Sequence, residues 1–359
     1  MRIGIVNDLR LAVETLKRAV ATIPDSTVAW IAEDGAAAVA RCAEDLPDIV
    51  LMDMIMPVMD GVEATRRIMK STPCPILVVT ATVEGNASKV FEALGAGALD
   101  AVATPGLAAD GSVTNAEPLA RKVAAIRIIS QSQTATPATP AKHAHASPAA
   151  PAAIPPIVAI GSSTGGPLAL SIVLKALPAP APWPVVVVQH IDTEFAQGLS
   201  SWLARETGHA VQTIVEGATP APGMVSIAAT GDHLLVSASG RFRYSPEPRA
   251  LVYRPSVDVF FNALVEADAA PGVAVVLTGM GRDGAAGMLG LRANGWHTIA
   301  QDRATSVVWG MPGACVECGA AAQTLPLSAI GPAIASRMSQ IPRMSAPTHP
   351  PGKSTGGPG

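Results

Sequence analysis

A serine between glycines follows a short apolar segment near the middle of the chain. The run is Gly161-x-Ser163-x-Gly165, directly after the apolar residues 157–160. A strand, a sharp turn and a helix around such a serine form the nucleophile elbow of many hydrolases, because small residues let the backbone turn and a substrate approach. The pattern predicts a nucleophilic Ser163. The other interpretations are an ordinary glycine-rich turn or an anion site at a helix N-terminus.

A serine nucleophile needs a base, and the base needs a group that orients it. His190 follows the predicted strand 185–189, and Asp283 lies in the turn after the apolar run 273–277. Parallel strands present their carboxyl ends at one edge of a sheet, so we expect both side chains beside Ser163. The three residue types in this placement predict a Ser–His–Asp hydrolase, although a lone histidine after a strand is more often structural.

The glycine-rich turn around Asp283 supports two further predictions. Glycines on both sides of Met280 leave backbone N–H groups free to face an oxyanion. Asp283 also precedes a helix predicted to begin near residue 285, so one carboxylate oxygen could cap that helix while the other holds His190. His233, in a predicted turn, is a further candidate for the wall of the same cleft.

A second group of polar residues follows apolar runs in the first 110 residues. Asp53 comes directly after residues 49–52, with Asn7-Asp8 and Thr80 after two other runs. A carboxylate beside a second acid can hold Mg²⁺, and it can also attack a phosphoryl group. The Thr80 hydroxyl could then bond the added phosphoryl oxygens. The alternative is that Asp53 only caps a loop.

The elements that must position these residues alternate along the first 130 positions. Five apolar runs at 3–6, 27–32, 49–52, 76–79 and 99–103 are separated by helical patterns at 9–23, 36–44, 62–71, 86–94 and 117–130. Five such pairs predict a doubly wound parallel sheet, and the second segment has the same α/β character.

The composition excludes several classes of protein. The 359 residues are 49% apolar, carry a net charge of −3 and include only 5 Phe, 5 Trp and 2 Tyr, which argues against whole-chain disorder and nucleic-acid binding. The apolar runs are far shorter than the ~20 residues of a membrane span, so no membrane insertion is expected. Four cysteines are too few for a disulfide scaffold, which favours a reducing cytoplasm.

An Ala/Pro-rich stretch divides the chain. Fifteen of the 26 residues at 131–156 are Ala or Pro, without apolar periodicity, as is typical of a semi-rigid linker. We therefore expect a first domain at 1–120, its last helix and the linker at 121–156, a second domain at 157–343, and a disordered tail at 344–359.

The first domain resembles the receiver domain of two-component response regulators. The resemblance covers about residues 1–120 and is carried by Asn7-Asp8, Asp53-x-x-Met56-Pro57-x-x-Asp60-Gly61, Thr80 and Thr104-Pro105. It implies a (βα)5 fold, phosphorylation of Asp53, and Mg²⁺ at Asp8 and Asp53. Two positions depart from the family pattern: Asn7 replaces an acid and Thr104 replaces a lysine. Both changes should weaken the hold on Mg²⁺ or on the phosphoryl group.

The second domain resembles the catalytic domain of chemotaxis protein-glutamate methylesterases of the CheB type. Matching motifs recur in order over residues 157–340: Gly161-x-Ser163-Thr164-Gly165-Gly166, Gln189-His190, Arg254-Pro255-Ser256-Val257-Asp258, residues 277–288 and Gly310-Met311-Pro312. The family implies hydrolysis of glutamate γ-methyl esters on cytoplasmic chemoreceptor helices, often with deamidation of glutamine, and no cofactor for the esterase. It assigns Ser163 as nucleophile, His190 as base, Asp283 as orienter and the Met280 amide as oxyanion donor.

The two resemblances together predict an esterase controlled by a receiver. The expected partners are a methyl-accepting chemoreceptor and a CheA-type histidine kinase, and the expected mechanism is a receiver that covers Ser163 until Asp53 is phosphorylated. The start of the chain and Thr104 are most similar to the Wsp-type branch, which tunes a surface-sensing pathway. The alternative is a receiver-based binding module whose esterase site is vestigial or acts on another ester.

Overall fold

The computed structural model describes residues 1–81, 83–108, 110–131, 154–251 and 253–341. The predicted tail at 344–359 and most of the predicted linker lie outside the described residues. The described part forms two parallel sheets with helices on both faces, which confirms the predicted pair of α/β domains.

The N-terminal sheet has five parallel strands in the order β2-β1-β3-β4-β5. Its elements are β1 (Arg2–Val6), α1 (Arg10–Ala21), β2 (Thr27–Ala32), α2 (Gly35–Glu44), β3 (Ile49–Met52), α3 (Gly61–Ser71), β4 (Ile76–Thr80), α4 (Val83–Gly95), β5 (Asp100–Ala103), β6 (Gly106–Leu107), β7 (Val113–Thr114) and α5 (Glu117–Gln131). All five predicted strand–helix pairs are present. The small antiparallel pair β6–β7 was not predicted, because two-residue strands leave no periodic signal.

The C-terminal sheet has seven parallel strands in the order β10-β11-β9-β8-β14-β15-β16. Its elements are β8 (Val158–Ser162), α6 (Gly166–Lys175), β9 (Val185–Gln189), α7 (Thr193–Thr207), β10 (Ala210–Thr213), β11 (Met224–Ile227), β12 (His233–Val236), β13 (Phe242–Ser245), α8 (Val257–Glu266), β14 (Val273–Val276), α9 (Ala285–Ala293), β15 (His297–Gln301), α10 (Met311–Glu317), β16 (Gln323–Leu325) and α11 (Leu327–Ser339). The antiparallel hairpin β12–β13 stands apart from this sheet.

The central strands read as continuous apolar runs because both of their faces are covered. Val158 and Ile160 of β8 pack with α6, α7 and α11, whereas Ala159 packs with α8 and α9 on the other face. The chain leaves β8 toward β9 on one side and later returns to β14 on the other. Such a reversal of strand order opens a crevice at the carboxyl ends of the strands, where ligands bind in this class of sheet.

The two domains share an apolar core. Phe91 of α4 stacks on Trp202 of α7 with ring centroids 5.9 Å apart, and both side chains are buried. The interface is completed by polar contacts, including a 3.0 Å hydrogen bond from Arg205 to Ser88 Oγ. The backbone N–H of Gly165, in the glycine-rich turn after β8, donates to Leu99 O at 2.9 Å. The receiver-like domain therefore rests directly against the turn that carries Ser163.

Candidate active site

Ser163 sits in a tight turn between β8 and α6. Gly165 adopts a left-handed conformation at φ 77°, and a Cβ there would lie 2.8 Å from Val307. Pro167 lies in the first turn of α6, where its missing N–H costs no hydrogen bond. A Cβ on Gly279 would lie 2.7 Å from that of Ser163, so glycine is needed at this close approach. The strand–turn–helix context predicted for the nucleophile elbow is present.

His190 follows β9 and is bonded at one ring nitrogen. Its Nε2 lies 2.7 Å from Asp283 Oδ2, whereas its buried Nδ1 has no hydrogen-bond partner among the described residues. The proton shared with a carboxylate belongs on Nε2, which leaves Nδ1 as the free basic nitrogen. Ser163 and His190 line the same cavity of about 140 Å³. Nδ1 is therefore the ring nitrogen that can still accept a proton.

Asp283 is held by the N-terminus of α8. Its carboxylate accepts from Ser256 Oγ at 2.7 Å, Val257 N at 2.7 Å and Asp258 N at 3.0 Å. Burial alone would raise the pKa of Asp283, but the bonds from His190 and from these donors outweigh it and lower the pKa to about 2. Asp283 is thus ionised at any physiological pH.

The predicted capping of α9 by Asp283 is wrong. The N-cap of α9 is Gly284 and no side chain bonds that helix end from the N-cap position. Asp283 caps α8 instead, while Asp258 near the start of α8 accepts from Gly287 N of α9 at 2.7 Å. The N-terminus of each helix is therefore bonded by a carboxylate that lies in, or just before, the other helix. This is possible because the two N-termini converge at the edge of the sheet.

The ionised form of the Asp258 carboxyl is disfavoured in the folded protein. Burial raises its pKa to about 6, and the neighbouring Asp283 acts in the same direction against the bond from Gly287. Asp258 is therefore protonated in the fold at a pH where an exposed carboxyl is ionised. Its ionisation opposes folding as the pH rises through this range.

We expect Asp258→Asn to stabilise the protein increasingly between pH 4 and pH 7. Wild type loses stability as the pH rises through about 6, since its folded pKa lies above the unfolded value near 3.8. Asparagine keeps an oxygen for Gly287 N and cannot ionise. The melting temperatures of both proteins should be measured across this range at constant ionic strength. A difference that does not change with pH would contradict the expectation.

Met280, in the turn after β14, belongs to the wall of the same cavity. Met280 lines it with Ser163 and His190, and its backbone N–H donates to no other described residue. The preceding Gly279 N–H bonds Val308 O at 3.0 Å, and Thr278 Oγ1 bonds Thr164 O at 3.0 Å, so the turn is fixed on both sides. A fixed N–H without another partner is the kind of donor that stabilises an oxyanion when the reacting carbonyl lies close to it.

Sequence reasoning missed several groups that hold these residues in place. Gln189 is buried and donates to Ser163 O at 2.9 Å and to His190 O at 3.0 Å, which ties the two turns together. His233 does not line the cleft as predicted; it is fully buried and its Nδ1 accepts from Ser256 N at 3.1 Å. Only the adjacency of Gln189 to His190 could have pointed to the first role, and no local signal pointed to the second.

The receiver-like domain supplies one wall of the catalytic cavity. Asp100 at the start of β5 is buried, and its carboxylate accepts from Thr164 Oγ1 at 3.2 Å, next to Ser163. Lys122 of α5 pairs with the same carboxylate at 2.7 Å, and both side chains line the cavity. The cavity that Ser163 lines is therefore built from residues of both domains.

The residues predicted to surround the phospho-acceptor meet at the ends of β1, β3 and β4. Asn7 Nδ2 donates to Asp53 Oδ2 at 3.1 Å, and Met54 N donates to Asp53 Oδ1 at 2.7 Å. Burial raises the pKa of Asp53, and the nearby Asp8 raises it further. Thr80 is buried at the end of β4 and accepts at its carbonyl from Thr104 N at 2.9 Å.

The donor set at Asp53 fits a divalent cation only in part. The carboxylates of Asp8 and Asp53 are hard oxygen ligands close enough to repel each other, which a cation would relieve. Asn7 turns its amide nitrogen toward Asp53 and its oxygen toward Leu9 N at 2.8 Å, so it is a donor there and not a ligand. Two carboxylates therefore remain to hold Mg²⁺.

Thr104 lies on a second cavity between the domains. This cavity, of about 300 Å³, is lined by Thr104 and Asn115 of the first domain and by Glu194 and Arg254 of the second. The position at which receivers usually carry a lysine is thus placed at the interface with the esterase domain in this chain.

Comparison with known proteins places both halves in families. Residues 158–334 match the CheB methylesterase model, and residues 3–109 match the response regulator receiver domain. A protein-glutamate methylesterase/protein-glutamine glutaminase of Burkholderia lata is 50% identical over 94% of this chain and 99% of its own length. One from Pseudomonas aeruginosa is 48% identical over 93% of this chain and 99% of its own length.

The chain belongs to the CheB methylesterase family. Its catalytic half is also similar to the crystal structure of the Thermotoga maritima CheB methylesterase catalytic domain, at 36% identity over 50% of this chain and 97% of that one, with a TM-score of 0.48. The predictions of a receiver domain, a CheB-type catalytic domain and an esterase are confirmed at family level. No helix among the described residues is both long and apolar enough to cross a membrane.

Proposed function

We propose that this CheB-family chain hydrolyses glutamate γ-methyl esters, and deamidates glutamine, on the cytoplasmic helices of a methyl-accepting chemoreceptor. The observation that carries the proposal is the ionised Asp283 bonded to His190, whose free Nδ1 shares a cavity with Ser163. The names of the relatives from Burkholderia lata and Pseudomonas aeruginosa support this choice of substrate.

In the proposed mechanism His190 accepts a proton and then donates it, once during acylation of Ser163 and once during deacylation. Nδ1 accepts the Ser163 proton as Oγ attacks the ester carbon, and the oxyanion that forms accepts from the Met280 N–H. His190 then protonates the leaving methoxide, which departs as methanol. Water repeats the sequence on the acyl-enzyme and releases the glutamate carboxylate. With a glutamine side chain the leaving group is ammonia.

We propose that the receiver controls access to this site. Asp100 bonds Thr164 beside Ser163 and pairs with Lys122, and both side chains line the cavity that a receptor helix would have to reach. A CheA-type histidine kinase would phosphorylate Asp53. Asp8 and Asp53 would hold Mg²⁺, which neutralises phosphoryl oxygens when bound. The change at Asp53 would then loosen the contact of β5 and α5 with the esterase, which requires no cofactor.

The remaining expectations are proposed on the same basis. We place the domains at 1–120 and 157–343, with the linker and last receiver helix at 121–156 and a tail at 344–359. Free cysteines among the described residues are consistent with a cytoplasmic location. Asn7 and Thr104 support membership of the Wsp-type, surface-sensing branch, and the composition supports no role in nucleic-acid binding.

The direct test is methanol release from methylated receptor fragments, with and without a small phospho-donor and Mg²⁺. The proposal expects release that depends on Ser163 and increases with the donor. A full chain that binds the receptor or the kinase but releases no methanol in either condition would favour the receiver-based binding module with a vestigial esterase site.

The altered receiver pocket allows a second test. We expect the double variant Asn7→Asp, Thr104→Lys to show a larger rate increase with the phospho-donor than wild type does. It restores an acidic ligand for Mg²⁺ and a cation for the phosphoryl group, and charge-assisted bonds are about twice as strong as neutral ones. Asp53→Ala is the control and should show no increase at all. An unchanged response in the double variant would show that the two departures do not impair the pocket.

A further inference from the structure

Tyr253 lies flat against the imidazole of His190. The two ring centroids are 4.4 Å apart and the ring planes differ by 3°, so the rings are parallel and in van der Waals contact. Tyr253 is partly buried and lines the catalytic cavity together with His190 and Ser163. None of the triad assignments accounts for this contact.

The imidazole needs a second restraint that its hydrogen bonds do not supply. Nε2 is anchored on Asp283, but Nδ1 has no partner among the described residues before it meets the Ser163 proton. A single bond fixes one atom of the ring and leaves its plane able to tilt. A parallel aromatic face resists tilting, because any rotation of the imidazole loses contact with it or collides with it.

Tyr253 belongs to the segment that also fixes Asp283. Three and four positions later, Ser256 Oγ and Val257 N donate to the Asp283 carboxylate, both at 2.7 Å. The backbone of Ser256 is itself held by His233. One short segment therefore sets the orientation of the carboxylate and the plane of the base that it holds.

We propose that Tyr253 is a positioning residue for His190, which keeps Nδ1 directed at Ser163 and stabilises the imidazolium formed when the proton is transferred. The inference rests on the proposed serine mechanism. The flat ring does this work and the hydroxyl has no part in it, since an aromatic face attracts a cation above it. Phenylalanine should therefore substitute for Tyr253, whereas an aliphatic side chain of similar size should not.

A role in binding would give a different result from a role in positioning. A cavity wall that only contacts the substrate affects KM, because it binds ground state and transition state alike. A group that aligns the base affects kcat, and it also affects the reaction of Ser163 with a small reagent that makes no receptor contacts. Misplacement of a catalytic group by about 1 Å can cost about 100-fold in rate.

The test uses the full chain and a small alkyl fluorophosphonate. In this reaction Ser163 Oγ forms the bond to phosphorus, fluoride leaves, and His190 takes the serine proton, so the receptor substrate is not involved. We expect Tyr253→Leu to react about 10- to 100-fold more slowly than wild type. Tyr253→Phe should react within about twofold of wild type. With methylated receptor, Tyr253→Leu should lower kcat and leave KM nearly unchanged.

The controls separate this inference from the mechanism on which it rests. Ser163→Ala should not be labelled, and a wild-type chain without Ser163-dependent labelling would overturn the proposed mechanism together with the inference. Labelling of Tyr253→Leu at the wild-type rate, or equal losses in the Leu and Phe variants, would overturn the inference alone. Thermal unfolding confirms that each variant is folded, and Tyr253→Met replaces the Leu variant if that protein does not fold.

Discussion

Ser163→Ala should reduce methanol release about 10⁴-fold or more while the melting temperature stays within a few degrees of wild type. Alanine removes the only atom that can form the acyl intermediate, and the loss of a triad member leaves the small residual catalysis of the oxyanion donor and of substrate binding. The substitution should leave the fold intact, since the backbone N–H of residue 163 keeps its 3.0 Å bond to Thr278 O.

The neighbouring serine gives a matched control for this result. Ser162 directly precedes Ser163 in the sequence. It is fully buried, and its hydroxyl donates to Gln189 Oε1 at 2.6 Å. Ser162→Ala should therefore lower stability and leave most of the hydrolysis. A Ser163→Ala protein with wild-type turnover would refute the assignment of the nucleophile, whatever happens at Ser162.

Removal of the receiver should give the second large effect. Residues 154–343 alone should hydrolyse methylated receptor about 5- to 150-fold faster than the unphosphorylated full chain, the usual range for coupling between two sites. The physical reason is that the fragment lacks Asp100, which bonds Thr164, and its partner Lys122, both of which line the cavity in the full chain. The measurement is the initial rate of methanol release at equal enzyme concentration.

A full-chain variant controls for the possibility that the isolated fragment is destabilised by the interface surface it newly exposes. Phe91→Ala changes only the receiver side of the stack on Trp202 and leaves every residue of the esterase domain in place. It should raise the rate in the same direction, by less. Equal rates for the fragment, the variant and the wild type would refute control by the receiver and would leave the triad assignment intact.

The strand ends explain why so much of the site could be predicted. Ser163, His190 and Asp283 follow β8, β9 and β14, which are neighbours in the sheet. Apolar runs show where strands end, and parallel strands deliver those ends to a single edge. The same reasoning placed Asp53 and Thr80 together in the receiver. This part of the site could be predicted because it depends on strands whose ends are visible in the local sequence.

Contacts between distant segments could not be predicted in the same way. The carboxylate of Asp283 caps α8 from 25 to 27 residues away in sequence, so the local pattern pointed to α9 instead. The contact between Asp100 and Thr164 joins residues 64 positions apart in two domains. Composition and periodicity indicate the order of helices and strands along the chain. The contacts of Asp283 with α8 and of Asp100 with Thr164 depend instead on how folded elements and domains pack together.

The carboxylate of Asp100 against Thr164 has a thermodynamic consequence for the receptor itself. If the receiver controls access as proposed, it competes with a receptor helix for the same cavity, so each disfavours the other. If phosphorylation of Asp53 raises the affinity for the receptor by some factor, linkage requires bound receptor to favour the phosphorylated receiver by the same factor. A receptor rich in methyl esters is then more than a substrate. Under the proposed control it would also act as an effector: by holding the two domains apart it would prolong its own demethylation, and the effect would fade as the bound methylated sites are consumed.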